Sequence, residues 1–170
     1  MIFFESKYFE KKQLTKPDLY NSQYLEGRFE FVKLGLTLDI QFQVLNEDRS
    51  TKISVSIFDE MFNKFLKKFD GFFFEKLIFQ TINKLISNIE KDKRKNETER
   101  LRNRIKLDEI VFSFERYIDY LTEDNLPPYS ERSEIVMRFL DRDFLDSHEI
   151  IVEIDPNNDF VFKDAFFEYM

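Results

Sequence analysis

At Phe58 the hydrophobic period of this chain changes, and that change sets the class of fold it can adopt. Over Leu36-Thr37-Leu38-Asp39-Ile40-Gln41-Phe42-Gln43-Val44, apolar and polar residues alternate strictly, the period of a half-buried strand. Residues 28–34 also read as extended, and Gly35 supplies a tight turn between the two stretches. After a polar loop over 46–51, residues 53–57 alternate again, so the spacing predicts an antiparallel meander of three strands. From Phe58 onward, Phe58, Met61, Phe62, Phe65, Leu66 and Phe69 fall on one stripe with period 3.6, opposite Asp59, Glu60, Asn63, Lys64, Lys67 and Lys68. Strands and helices therefore occupy separate stretches, and the class is α+β.

The first helix is expected to stop at Asp70-Gly71, where glycine closes helices readily. A second follows over 74–90, with Leu77, Ile78, Ile82, Leu85, Ile86 and Ile89 on its buried stripe. Residues 91–100 contain no apolar side chain. Leu101 and Ile105 restart the helical period, and Leu107, Ile110, Val111, Phe114, Ile118 and Leu121 carry it to Thr122. The expectation is a long helical hairpin whose basic tip or loop, about 91–106, projects into solvent. Pro127 and Pro128 break it, because each removes a donor and forces the preceding residue out of helical geometry. Ser130 then caps a further helix with Ile135, Val136, Phe139, Leu140, Phe144 and Leu145 on its stripe. Residues 149–154 read as a strand, and Asp155-Pro156-Asn157-Asn158-Asp159 as a turn. Phe160 to Phe162 either pair back or open a short helix. The sequence thus reads as one α+β domain over 1–170, with an N-terminal antiparallel β-meander, a central long helical hairpin, and a C-terminal helix and strand.

What fills the core is set by an unusual choice of apolar residues. The chain has 22 Phe and 7 Tyr but no Trp, three Gly and a single alanine, Ala165. With few small residues to let backbones approach, facing elements meet only where rings interlock. The absence of cysteine excludes disulfides, thiolate metal sites and zinc ribbons. The N-terminal residues lack the basic start and apolar run of a signal peptide, and no window approaches eighteen uncharged apolar residues. A cytoplasmic protein without membrane contact is the expectation. The excess of Phe, Ile, Lys and Asn suits the AT-rich coding of a bacterium, phage or mobile element.

Charge is distributed in blocks. The net value is −7, yet positions 91–106 hold eight basic and three acidic residues, and positions 107–170 hold five basic and 17 acidic. Pairing of the two blocks inside the fold is the simplest arrangement. Alternatively, each faces a separate partner. The acidic third suits docking onto a basic protein through charge complementarity, as inhibitors and immunity proteins do, with Asp141, Asp143, Asp146, Glu149 and Glu153 as the partner-binding residues. The basic band, with Lys93, Arg94, Lys95, Arg100, Arg102 and Arg104 beside Lys91 and Lys106, is a candidate for nucleic-acid phosphates. It lacks interleaved aromatics, so nucleic-acid contact is the secondary use of these cations. The phenylalanine excess also leaves room for a homodimer through an exposed aromatic patch.

Catalytic equipment is sparse. There is no Gly-rich phosphate loop, no Walker sequence and no Gly-x-Ser-x-Gly elbow. His148 is the only histidine, six positions after Arg142 in Arg142-Asp143-Phe144-Leu145-Asp146-Ser147-His148. That spacing resembles the Arg-polar-x4-His signature of the HEPN ribonucleases. The resemblance implies a helical bundle and metal-independent RNA cleavage, with Arg142 stabilising transition-state charge and His148 transferring a proton. Without it, His148 reads as a surface histidine near a helix C-terminus. Asp141, Asp143, Asp146, His148 and Glu149 are the residues that hard-cation chemistry would use. On a helix, however, Asp141 and Asp143 would lie about 200° apart and could not share an ion. The sequence reading therefore assigns no metal, no cofactor and no catalytic residue, and places a non-enzymatic protein-binding module first.

Overall fold

A computed structural model describes residues 3–4, 8, 12–13, 22–46, 56–118, 129–141 and 148–169. Strands β1 (Phe3–Phe4) and β2 (Lys12–Gln13) form a small antiparallel pair. The main sheet has six strands in the spatial order of the chain: β3 (Ser22–Phe31), β4 (Leu36–Asn46), β5 (Ile105–Ile118), β6 (Tyr129–Asp141), β7 (His148–Asp155) and β8 (Val161–Tyr169). All neighbours are antiparallel except β4 and β5, which run parallel. Parallel neighbours need a crossover, here built from α1 (Ser56–Lys68), α2 (Gly71–Ile86) and α3 (Lys91–Arg104).

The β3–β4 hairpin turns as its glycine requires. Val32–Leu34 form a 3-10 turn, and Gly35 follows at φ 62, its N–H donating to the Val32 carbonyl. That left-handed conformation carries no steric cost without a Cβ. The meander expected from sequence has only these two antiparallel strands among the described residues. Residues 53–55 lie outside them, Ser56 and Ile57 open α1, and the strand on the other side of β4 is β5.

One sheet face carries the core. Leu38, Ile40, Phe42 and Val44 of β4 join Ile110, Phe112 and Phe114 of β5, Ile135, Met137 and Phe139 of β6, and Ile150, Val152 and Ile154 of β7 in a single cluster. The helices contribute Phe58, Met61, Phe62, Phe65, Leu77, Ile82, Ile86 and Leu101 to it. The rings interlock as the composition demands. Phe112 receives the edges or faces of Phe62 and Phe65, both at 5.3 Å, and Phe62 also meets Phe29 at 5.0 Å. Near-perpendicular pairs of this kind add about 0.5–1.5 kcal/mol each beyond area burial. Tyr8 edges onto Phe62 and donates its hydroxyl to Asn63 Oδ1 of α1 at 2.7 Å.

The α+β class holds, and two segments change type within it. The expected second arm of the hairpin, 107–122, is strand β5 as far as Ile118, and the expected helix beginning at Ser130 is strand β6. A helical hairpin does exist, but it is α2 against α3, and its second arm ends at Arg104. In β5, Phe112 lies off the helical stripe of Leu107, Ile110, Val111 and Phe114, yet it is fully buried. As a strand, Ile110, Phe112 and Phe114 share the core face, and burial outweighs the helical spacing. In β6, Ile135, Met137 and Phe139 alternate with Glu134, Val136, Arg138 and Leu140, a period-2 pattern concealed by apolar residues on both faces. The first helix does end just before Asp70-Gly71, at Lys68, but not through a glycine C-cap. Asp70 caps the next helix, accepting from the Phe73 N–H at 2.8 Å, and Gly71 is the first residue of α2. Phe160 to Phe162 pair back: the turn after Asp155 delivers the chain into β8, so the helical option for this segment does not form.

Candidate functional site

The residues singled out from the sequence fall into three structural groups. Asp141 ends β6 and His148 opens β7, two paired antiparallel strands. Arg142, Asp143 and Asp146 lie outside the described residues. The helical bundle implied by the Arg142 and His148 spacing is replaced here by a six-stranded sheet, with the histidine on a strand. The helical angle separating Asp141 from Asp143 does not apply either, because Asp141 is in a strand. Among the described residues, no group of three or more His, Asp or Glu is placed to hold a metal ion. Glu149 and Glu153 do belong to one surface, the sheet face opposite the helices.

That face follows from strand alternation. If Ile110, Phe112, Ile135, Met137, Ile150 and Val152 point to the core, their neighbours Glu109, Val111, Glu134, Val136, Arg138, Glu149, Ile151 and Glu153 point away. No described helix covers this side. Register aligns Arg28, Asp39, Glu109, Arg138, Ile151 and Phe166 in one row across all six strands, and Gln41, Val111, Val136 and Glu153 in the next. Val111 and Ile151 are each 5% exposed and stand outside the main core cluster. With Val136 and the exposed Phe166, they make an apolar middle to an otherwise charged face.

Carboxylates outnumber cations around that middle. Arg138 sits between two of them, with Nη1 3.2 Å from Glu149 and Nε 3.4 Å from Glu109. Arg28 pairs with Asp39, Arg132 with Glu115, and Lys163 with Glu134. Glu153 has Val136 and Asp164 as its cross-strand neighbours, and Asp164 turns instead to Lys84 of α2 at 3.2 Å. The Asp164 carboxyl is held below its usual range by the Ala165 N–H and then by Lys84. Glu109 is shifted the other way. Partial burial raises its pKa above the ordinary 4.5, Arg138 opposes the shift, and Asp108, Glu26 and Asp39 reinforce it. Arg138 Nε lies outside hydrogen-bond geometry, so its attraction does not offset the lost hydration. Arg138 and Glu109 went unnoticed in the sequence because nothing local announces a cross-strand pair.

The basic band is largely one helix. α3 spans Lys91–Arg104, while Lys106 belongs to β5. Its flanks differ. Lys93 pairs with Glu90 at 3.0 Å and Arg100 with Glu97 at 2.8 Å. Arg94 donates to the carbonyls of Ile89 and Ser87, closing the open end of α2. Lys95 and Arg102 are exposed, and Arg104 is half-buried. Across the groove from Arg102 stand Phe72 and Phe79 of α2, 81% and 56% exposed, a juxtaposition hidden in a sequence that separates them by more than twenty positions. No helix among the described residues is long and apolar enough to cross a membrane. No protein-family model, curated protein or solved structure matches the chain significantly.

Proposed function

We propose that this chain is a non-enzymatic protein-binding module, of the inhibitor, immunity or phage and mobile-element accessory type, that takes a basic partner on the sheet face that no described helix covers. The supporting observation is the layout of that face, where the exposed Phe166 and half-buried Val136 stand over the buried Val111 and Ile151 amid an excess of carboxylates. An interface needs such a division, since the apolar centre supplies affinity and the charged rim steers encounter and rejects partners of the wrong sign. Glu149 and Glu153 keep the role expected for them, now joined by Glu134, Glu30 and Asp39 on other strands. A rigid sheet also suits docking, because its side chains are positioned by backbone ladders before the partner arrives.

Reversing Glu30 and Glu153 together, as Glu30→Lys with Glu153→Lys, tests this reading without touching the ion pairs of Arg138. Tagged wild type and variant are used to capture partners from the source cells, and amide exchange maps the protected strands of the captured complex. The expected result is a basic partner that protects β3 to β8, associates more slowly at high salt, and is lost from the variant. Identical partners and identical protection for both chains would overturn the assignment.

A further inference from the structure

The groove between α2 and α3 is chemically unlike the sheet face. It is open, about 750 Å³, and lined by Phe72, Phe74, Lys76, Ile78, Phe79 and Arg102, with Glu75 as the one carboxylate of the lining. Phe72 and Phe79 are exposed side chains seven residues apart on α2, so both rings lie on one stripe, with Lys76 between them. Asn83 continues that stripe at the next turn and is exposed. On α3, helical spacing places Lys91, Lys95 and Thr98 on the same flank as Arg102, at i, i+4, i+7 and i+11. Among the described residues, Lys91, Lys95 and Arg102 have no carboxylate partner, whereas Lys93 and Arg100 on the opposite flank are paired.

Two solvent-facing aromatic rings beside a line of uncompensated cations match one ligand chemistry closely. An anionic chain satisfies Lys76, Lys91, Lys95 and Arg102, and planar groups attached to that chain cover Phe72 and Phe79. We infer that the α2–α3 groove binds single-stranded nucleic acid, with the two phenylalanines stacking on bases and the four cations holding phosphates. A duplex presents the same phosphates but keeps its bases stacked inside, so it engages only half of the site. The groove belongs to the helical side of the molecule. It therefore stands or falls independently of docking on the sheet face.

The test uses the whole chain with a fluorescent oligouridylate of about 12 nucleotides, within the site size of such grooves. Anisotropy is followed as salt is varied, and a duplex of the same length and an acidic tyrosine-containing peptide serve as parallel probes. Binding of the single strand is expected to exceed that of the duplex. Phe72→Ser with Phe79→Ser should weaken it about tenfold or more, leaving the salt slope intact, because both rings are already solvent-exposed. Lys91→Gln with Lys95→Gln and Arg102→Gln should reduce the log–log salt slope by about 2, at roughly 0.7 per single-strand phosphate contact. Lys93→Gln, on the paired flank, should change little. Circular dichroism confirms that each variant is folded. Absence of binding at low salt overturns the inference. So does equal affinity for duplex and single strand with no effect of the phenylalanine changes, which would be general polyanion adherence. Binding of the acidic peptide alone, lost in the phenylalanine variant, would assign the groove to a protein and overturn it as well.

Discussion

Glu109 shows how a single side chain records its surroundings. Burial and three neighbouring acids raise its pKa, and Arg138 recovers only part of that. A carboxyl whose folded pKa is raised binds its proton more tightly in the native state than in the unfolded one. Stability is therefore lost as pH rises through the window that begins at the ordinary 4.5 and ends at the raised value, and the penalty is complete above it. Glu109→Gln removes that titration, and Arg138 keeps Glu149 as its partner. The variant should match wild type most closely in acid and gain on it as pH rises to neutrality. Thermal unfolding across that range reads the difference directly, and a pH-independent offset between the two proteins would contradict it. At the same scale, Asp159 and Phe160 both take positive φ in the β7–β8 turn, at 51 and 58. Non-glycine residues pay for that conformation. Burial of the Phe160 ring against Phe65 opposes the strain there, while Asp159 makes an exposed ion pair with Lys68 at 2.8 Å.

At the scale of elements, the boundary between α1 and α2 depends on one carboxylate. The Asp70 side chain accepts from the Phe73 N–H, satisfying a donor that the first turn of α2 leaves open. Asp70→Ala should cost about 1 kcal/mol in urea unfolding and Asp70→Asn only a fraction of that, since asparagine caps equally well. Equal losses for both would point to a role other than capping. The legibility of the elements divides along similar physical lines. β4, α1 and α2 were readable because each buries one face and solvates the other, which imprints a period on the sequence. β5 and β6 were not, because Val111 and Val136 are apolar on the far face as well. Apolar residues on both sides fill in the alternation, and the remainder then fits a helix by chance. The candidate site suffered the same way. Glu149 and Glu153 were recognisable as an acidic run, but their placement beside Glu134, Arg138 and Glu109 depends on which strands pair.

For the whole molecule, position in the sheet and depth of burial set the order of stability. β5 is flanked on both sides and lies at the centre of the sheet, while α3 buries Leu101 alone. Native-state amide exchange should find the slowest amides in β5 and β6 and the fastest helical amides in α3, because local opening of α3 exposes little apolar surface. Comparable protection of α3 and β5 would mean that the basic helix is held by contacts beyond those described. What the sequence determined by itself was whatever neighbours along the chain can encode: the α+β class, the period change at Phe58, the turn at Gly35, the ring-filled core and the separation of basic from acidic charge. Tertiary structure alone decided which strands lie side by side, and hence that carboxylates from distant segments share the sheet face opposite the helices and that Phe72 and Phe79 stand beside Arg102 of α3. Periodicity reports the environment of one segment, whereas pairing is chosen by the summed burial of many, and no local pattern contains that sum.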